Sequence, residues 1–123
     1  GKDFICSSGE VLQNSLLTLD PEKTMSYAYC SDTSYKPDIV EIIKGSDILY
    51  HESTFLSDKE DLAIKTRHST AKQAAIIAKE AKVKKLILGH YSSRYKDISL
   101  FKKEAEEIFR NVILAETGKI ISI

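Results

Sequence analysis

Three short apolar runs, each stopping at a residue able to coordinate or titrate, constrain this 123-residue chain more than any other feature. Tyr27-Ala28-Tyr29-Cys30 runs into Ser31-Asp32-Thr33, Ile48-Leu49-Tyr50 into His51-Glu52, and Leu86-Ile87-Leu88 into Gly89-His90. Each run is too short for a helix and suits a buried strand. Helical patterns lie between them. Pro37 stands where a first helical turn tolerates it, Ile39, Val40, Ile42 and Ile43 follow, and Gly45 closes the segment. Ser69 or Thr70 can cap a second helix, with Gln73 three residues beyond Thr70 as in a capping box. There Ala71, Ala74, Ala75, Ile77, Ala78 and Ala81 share one arc, opposite Lys72, Gln73, Lys79 and Glu80, and Ile76 falls on the polar side. A third helix begins near Asp97 or Ser99 and carries Phe101, Ala105, Ile108 and Phe109. Residues 112–115 and 119–123 read as a closing hairpin through Glu116-Thr117-Gly118. Residues 1–25 form an irregular lead-in with one short strand near Val11-Leu12, and 53–67 form a polar loop or short helix.

Residues 26–123 thus follow the order β-α-β-α-β-α-β-β, which argues for an α/β fold with mostly parallel strands and covering helices. Parallel strands bring their carboxyl ends to one edge, where open α/β sheets place ligands. Asp32, Glu52 and His90 would meet there, and His68, just ahead of a capped helix, can reach the same edge. Plainer roles stay open for each: a turn residue for Asp32, a solvated strand end for Glu52, a helix-entry bond for His68, a satisfied strand-end imidazole for His90. His51 reads as polar packing surface next to Tyr50, and Cys30 as a small buried residue rather than a nucleophile.

Several function classes are excluded or left without support. The chain has no glycine-rich phosphate loop, no Gly-x-Ser-x-Gly elbow, and no His-x-His or Cys-x-x-Cys spacing. Its 18 basic and 18 acidic side chains cancel, so net charge neither supports nor excludes a nucleic-acid substrate. No apolar run approaches the ~20 residues of a membrane span, and Lys2, Asp3, Glu10 and Asn14 interrupt any signal-peptide pattern. Two cysteines, Cys6 and Cys30, make no disulfide framework, so a reducing cytoplasm is the expected setting.

Four phrases in order carry a family resemblance. His51-Glu52-Ser53-Thr54-Phe55 resembles the His-Glu-Ala-Thr motif of the ribonuclease Z family, with serine for alanine. His68-Ser69-Thr70-Ala71 is similar to its His-Ser-Thr motif, and His90-Tyr91-Ser92-Ser93-Arg94-Tyr95 to its His-Phe-Ser-x-Arg-Tyr motif, with tyrosine for phenylalanine. Upstream, Asp32-Thr33 matches the family's strand-end Asp-Thr, so the likeness runs from about residue 27 through 95.

The resemblance implies half of a metallo-β-lactamase αββα sandwich, with a mixed sheet and covering helices, and a pair of zinc ions at the edge between two halves. Asp32 would bridge the metals and His90 would bind one of them. His68 would be a non-ligand catalytic histidine, with Glu52 holding and polarising it. Ser92 and Arg94 would lie beside the site, where Arg94 can meet a phosphate by bidentate bonds. The implied activity is removal of the 3′ trailer from precursor tRNA by a homodimeric enzyme. The family's main His-x-His-x-Asp-His motif and its further ligand histidine do not occur here, which leaves two ligands where a stable zinc site needs three or four. The expectation is a carboxy-terminal piece, inactive alone, that lacks the amino-terminal half of its domain and the arm that grips tRNA. Its uncovered sheet face would favour self-association, and Ile76 is a candidate dimer contact. Another metallo-β-lactamase-fold hydrolase of small phosphodiesters or esters, or a non-catalytic dimerisation module, are the alternatives.

Overall fold

A computed structural model describes residues 1–122. The lead-in is more ordered than expected: β1 (Phe4–Ile5) pairs antiparallel with β2 (Val11–Leu12), and a single turn, α1 (Asn14–Leu17), follows. The chain then enters β3 (Tyr27–Cys30), a 3-10 turn (Pro37–Ile39), α2 (Val40–Ile43) and β4 (Ile48–Glu52). A second 3-10 turn (Ser57–Lys59) leads into α3 (Glu60–Thr66), then α4 (Ala71–Glu80), β5 (Lys85–Gly89), α5 (Ser99–Glu106) and β6 (Val112–Leu114).

β3, β4, β5 and β6 form a sheet in that order, and every neighbouring pair is parallel. The two pairing senses of the chain therefore sit in separate sheets, the antiparallel one confined to the β1–β2 pair. The expected closing hairpin does not form. Residues 119–122 have no strand partner, Ile120 is 92% exposed, and Ile123 lies outside the described residues. Among the described residues β6 pairs in parallel with β5 alone, so its other edge stays open and residues 119–122 do not return onto it.

Strand residues alternate between faces, so the register defines two surfaces. Ala28, Leu49, Leu86 and Val112, then Cys30, His51, Leu88 and Leu114, share one face. That face packs on Ile43 of α2, the alanines and Ile77 of α4, and Phe101 and Ala105 of α5. Alanine is the main residue α4 presents to the core, which lets its backbone lie close to the strands. Full burial of Leu49, Leu86 and Leu88 contributes about 1.5–3 kcal/mol each. Among the described residues no helix of this core packs on the opposite face, where Tyr27 and Tyr29 are 56% and 63% exposed and Tyr29 stacks on Tyr50 at 4.6 Å. On that side Gly89 leaves room for Tyr50, whose hydroxyl occupies the space a β-carbon would take.

The capping box forms as read: Thr70 accepts from the Gln73 amide at 3.1 Å and Gln73 Oε1 accepts from the Thr70 amide at 3.0 Å. Gln73 consequently leaves the polar arc and is buried, with its Nε2 donating to Glu60 at 3.1 Å. Glu104 of α5 ties down the start of this helix and the preceding turn, accepting from the Lys72 amide at 3.0 Å and from Ser57 Oγ at 2.7 Å. Ile76 is half-buried on its own chain.

Candidate active site

The three strand ends stand side by side. Cys30, His51 and Leu88 lie at one level of the ladder and Glu52 and Gly89 at the next, so Asp32, Glu52 and His90 leave the sheet at a common edge. His68 arrives from the side. Phe55, just past β4, pairs with the segment before α4, accepting from the Ala71 amide at 3.0 Å and donating its own amide to Ser69 at 3.3 Å. The His68 amide closes the end of α3 on the Ala63 carbonyl at 2.8 Å. Two non-adjacent segments thereby fix one imidazole.

Glu52 is the hub. Its carboxylate is fully buried and accepts five hydrogen bonds. Oε1 accepts from Nδ1 of His68 at 2.7 Å and from the Thr33 amide at 2.9 Å. Oε2 accepts from the Thr54 hydroxyl at 2.7 Å and from the Thr54 and Ser69 amides, both at 3.1 Å. Burial pushes the carboxyl up, yet the bonds from His68, Thr54 and Ser69 outweigh it and hold Glu52 below its ordinary value. An ionised Glu52 accepts only, so the protons of these bonds belong to its partners.

That inference sets two tautomers. His68 must carry its proton on Nδ1, which leaves Nε2 as the free nitrogen. The Thr54 hydroxyl spends its one proton on Glu52 and so accepts from Nδ1 of His90 at 2.9 Å, again freeing Nε2. The two rings lie 5.2 Å apart between centroids. Asp32 completes the cluster, with Oδ1 3.5 Å from Nδ1 of His68 and its carboxylate largely exposed.

The structure thus brings Asp32, Glu52, His68 and His90 together, and the plainer reading of Glu52 as a solvated strand end is overturned by its burial. His51 also differs from its reading. It points to the helix-covered side, away from Tyr50, is fully buried, and bonds Nδ1 to the Glu52 carbonyl at 2.7 Å. Among the described residues Ser92 reaches the site through its backbone, which donates to the Thr54 carbonyl at 3.0 Å. Arg94 is exposed, and its side chain makes no hydrogen bond or ion pair with the cluster among the described residues. Burial pushes the Cys30 thiol up, which suits a packing residue and not a nucleophile. The roles of Thr33, Thr54 and Ser69 in holding Glu52 were not anticipated. Their signal was present: each is a small hydroxyl residue within two positions of a site residue in one of the quoted motifs.

Donor atoms of Glu52, His68 and His90 lie within 4.8 Å of one another, as a metal site requires. Both Glu52 oxygens are already committed, however, so the donors open to a cation are imidazole nitrogens and the Asp32 carboxylate. That donor set fits zinc. Asp32 and His90 also adopt left-handed backbone, at φ 53° and 60°, a conformation that costs non-glycine residues energy and gathers at functional sites.

No family model matches the chain. Curated relatives do. It is 50% identical over all 123 residues to ribonuclease Z of Parabacteroides distasonis and 48% identical to that of Bacteroides thetaiotaomicron, covering 40% and 39% of those proteins. Ribonuclease Z of Porphyromonas gingivalis is 46% identical over 115 residues, 94% of this chain. Among solved structures, a metallo-β-lactamase fold protein from Bacillus subtilis superposes with a TM-score of 0.73 at 27% identity, over 78% of this chain and 39% of that one. The short form of human tRNase Z superposes with a TM-score of 0.63 at 28% identity, over 92% of this chain and 36% of its own. The chain thus spans about 40% of the length of the curated relatives it matches. Over its whole length the chain is similar to a carboxy-terminal part of ribonuclease Z, and its fold is that of the metallo-β-lactamase-fold proteins.

Proposed function

We propose that the protein to which this chain belongs hydrolyses a phosphodiester of precursor tRNA to release the 3′ trailer, and that this chain supplies its general acid and part of its metal site. The observation that carries the reading is the 2.7 Å bond from Nδ1 of His68 to Glu52, set beside Asp32 and His90. Asp32 and His90 would hold zinc together with ligands from outside this chain. A zinc pair, when bound, generates hydroxide at neutral pH and stabilises charge on the attacked phosphate. His68 first takes the proton of the attacking water onto Nε2 and then gives it to the 3′ oxygen as the bond to phosphorus breaks, leaving a 3′-hydroxyl on the tRNA and a 5′-phosphate on the trailer. Glu52 then stabilises the imidazole through each proton transfer and keeps it aimed. Ser92 and Arg94 belong to this reading as phosphate contacts; Arg94 is exposed and free to swing toward substrate.

Two ligands from this chain fall short of a stable zinc site, so the chain alone is inactive in this reading. Free thiols at Cys6 and Cys30 suit a cytoplasmic setting, and the exposed Ile42 offers apolar surface to a homodimer contact. The test is His68→Ala in the full-length protein. Turnover of a precursor tRNA should fall about 10²–10⁴-fold while zinc content holds. Loss of zinc in that variant would make His68 a ligand and end the proposed role.

A further inference from the structure

A cleft of about 700 Å³ runs from His68 and Asp32 to Lys36 on the loop after β3 and Arg67 at the end of α3. That is far more room than one phosphodiester needs. Its two cations stand free: neither Lys36 nor Arg67 has an ion-pair partner within 4.0 Å among the described residues. Of its acids, Glu60 is engaged by Gln73, and Asp32 belongs to the metal cluster. Tyr35 and Ile64 give the cleft an apolar wall.

Arg67 adds a second, independent observation. It caps α3 in left-handed conformation at φ 61°, the position where glycine is ordinarily favoured. Four non-glycine residues have positive φ among the described residues, and Asp32, Arg67 and His90 are three of them. The strain therefore clusters around this site and reaches one step beyond the catalytic groups. An arginine in a glycine position is consistent with selection for its side chain rather than for its backbone.

We infer that this cleft holds the tRNA-side nucleotide of the cut bond, with Arg67 and Lys36 gripping the phosphate on its 5′ side. The inference rests on the function proposed above. His68 delivers its proton to the 3′ oxygen, so the nucleotide owning that oxygen lies on the His68 side of the phosphate, where the cleft opens. Its sugar and base meet Tyr35 and Ile64, and its next phosphate meets the two cations. Arginine suits this task because its planar fork matches two phosphate oxygens at once.

The test uses Arg67→Gly and Lys36→Ala in the full-length protein. Glycine relieves the left-handed cap, so the melting temperature of R67G should not fall, while KM for a precursor tRNA rises about tenfold. The slope of log KM against log salt should flatten by about 0.7 for each lost phosphate contact. Mature tRNA should weaken in parallel as a competitive inhibitor, and a trailer oligonucleotide should not. Wild-type KM and salt slope in both variants would overturn the inference alone. Weakened trailer binding with unchanged tRNA binding would overturn the assignment to the tRNA side. A wild-type enzyme that does not cut precursor tRNA would end both this inference and the function it rests on.

Discussion

The Thr54 hydroxyl lies 2.9 Å from Nδ1 of His90, although 36 residues separate them, and the same hydroxyl donates to Glu52 at 2.7 Å. One buried carboxylate therefore orients two imidazoles, His68 directly and His90 through a threonine. Because Thr54 has one proton and gives it to Glu52, His90 keeps its own on Nδ1 and offers Nε2 outward.

Thr54→Val keeps the shape and removes the relay. In the full-length protein it should weaken zinc binding about 10–100-fold, the usual cost of losing a group that orients a ligand. Competition with a chromophoric chelator checks this, and Thr54→Ser should restore most of the affinity. Unchanged zinc affinity in the valine variant would refute the relay.

Glu52→Gln replaces an all-acceptor group by one with two donors. Its amide nitrogen would face the Thr54 and Ser69 amides or the His68 and Thr33 donors, so at least one buried pair is broken. The expected loss is about 2 kcal/mol or more, read from denaturant midpoints, together with a fall in turnover like that of His68→Ala. Full stability in this variant would contradict an ionised Glu52.

His51 makes stability depend on pH in a defined window. Burial pushes its imidazole below the ordinary 6.5, more than the Glu52 carbonyl and carboxylate raise it. Its Nε2 has no partner among the described residues, so a proton there would be a buried charge without an acceptor. Between the folded and unfolded values the unfolded chain binds more protons, and stability falls as pH drops below about 6.5. Glu52 acts lower: its folded value lies below 4.5, so its contribution is present above that pH and is lost as pH falls through the folded value. Between pH 7 and 5 the wild type should lose about 1 kcal/mol relative to His51→Leu. Parallel stability curves would remove His51 from the account.

Gly89→Ala drives a methyl into the Tyr50 ring. It should destabilise by about 1–3 kcal/mol, and Tyr50→Leu in the same chain should recover part of the loss. Additive effects of the two changes would show that the residues do not meet.

Much of the sheet was readable because its signals are local. The runs at 27–30, 48–50 and 86–88 are apolar on both faces, as parallel strands must be, and Thr70 with Gln73 announced a helix start that depends on three neighbouring residues. The closing hairpin was misread because a turn signal at 116–118 does not by itself bring residues 119–122 back onto the open edge of β6. Gln73 was misplaced for a similar reason: its capping role and Glu60 drew a polar side chain inward.

The order of the strands and the chemistry at their ends were written in the sequence, since period, caps and motif residues act over a few positions. What the tertiary structure alone decided was the state of each group at that edge. Whether Glu52 is solvated or sealed, which imidazole nitrogen is free, and that Thr54 joins His90 to Glu52 all depend on contacts between segments 16 to 36 residues apart. Such contacts come from the register of parallel strands and the docking of α4, and no local pattern encodes them.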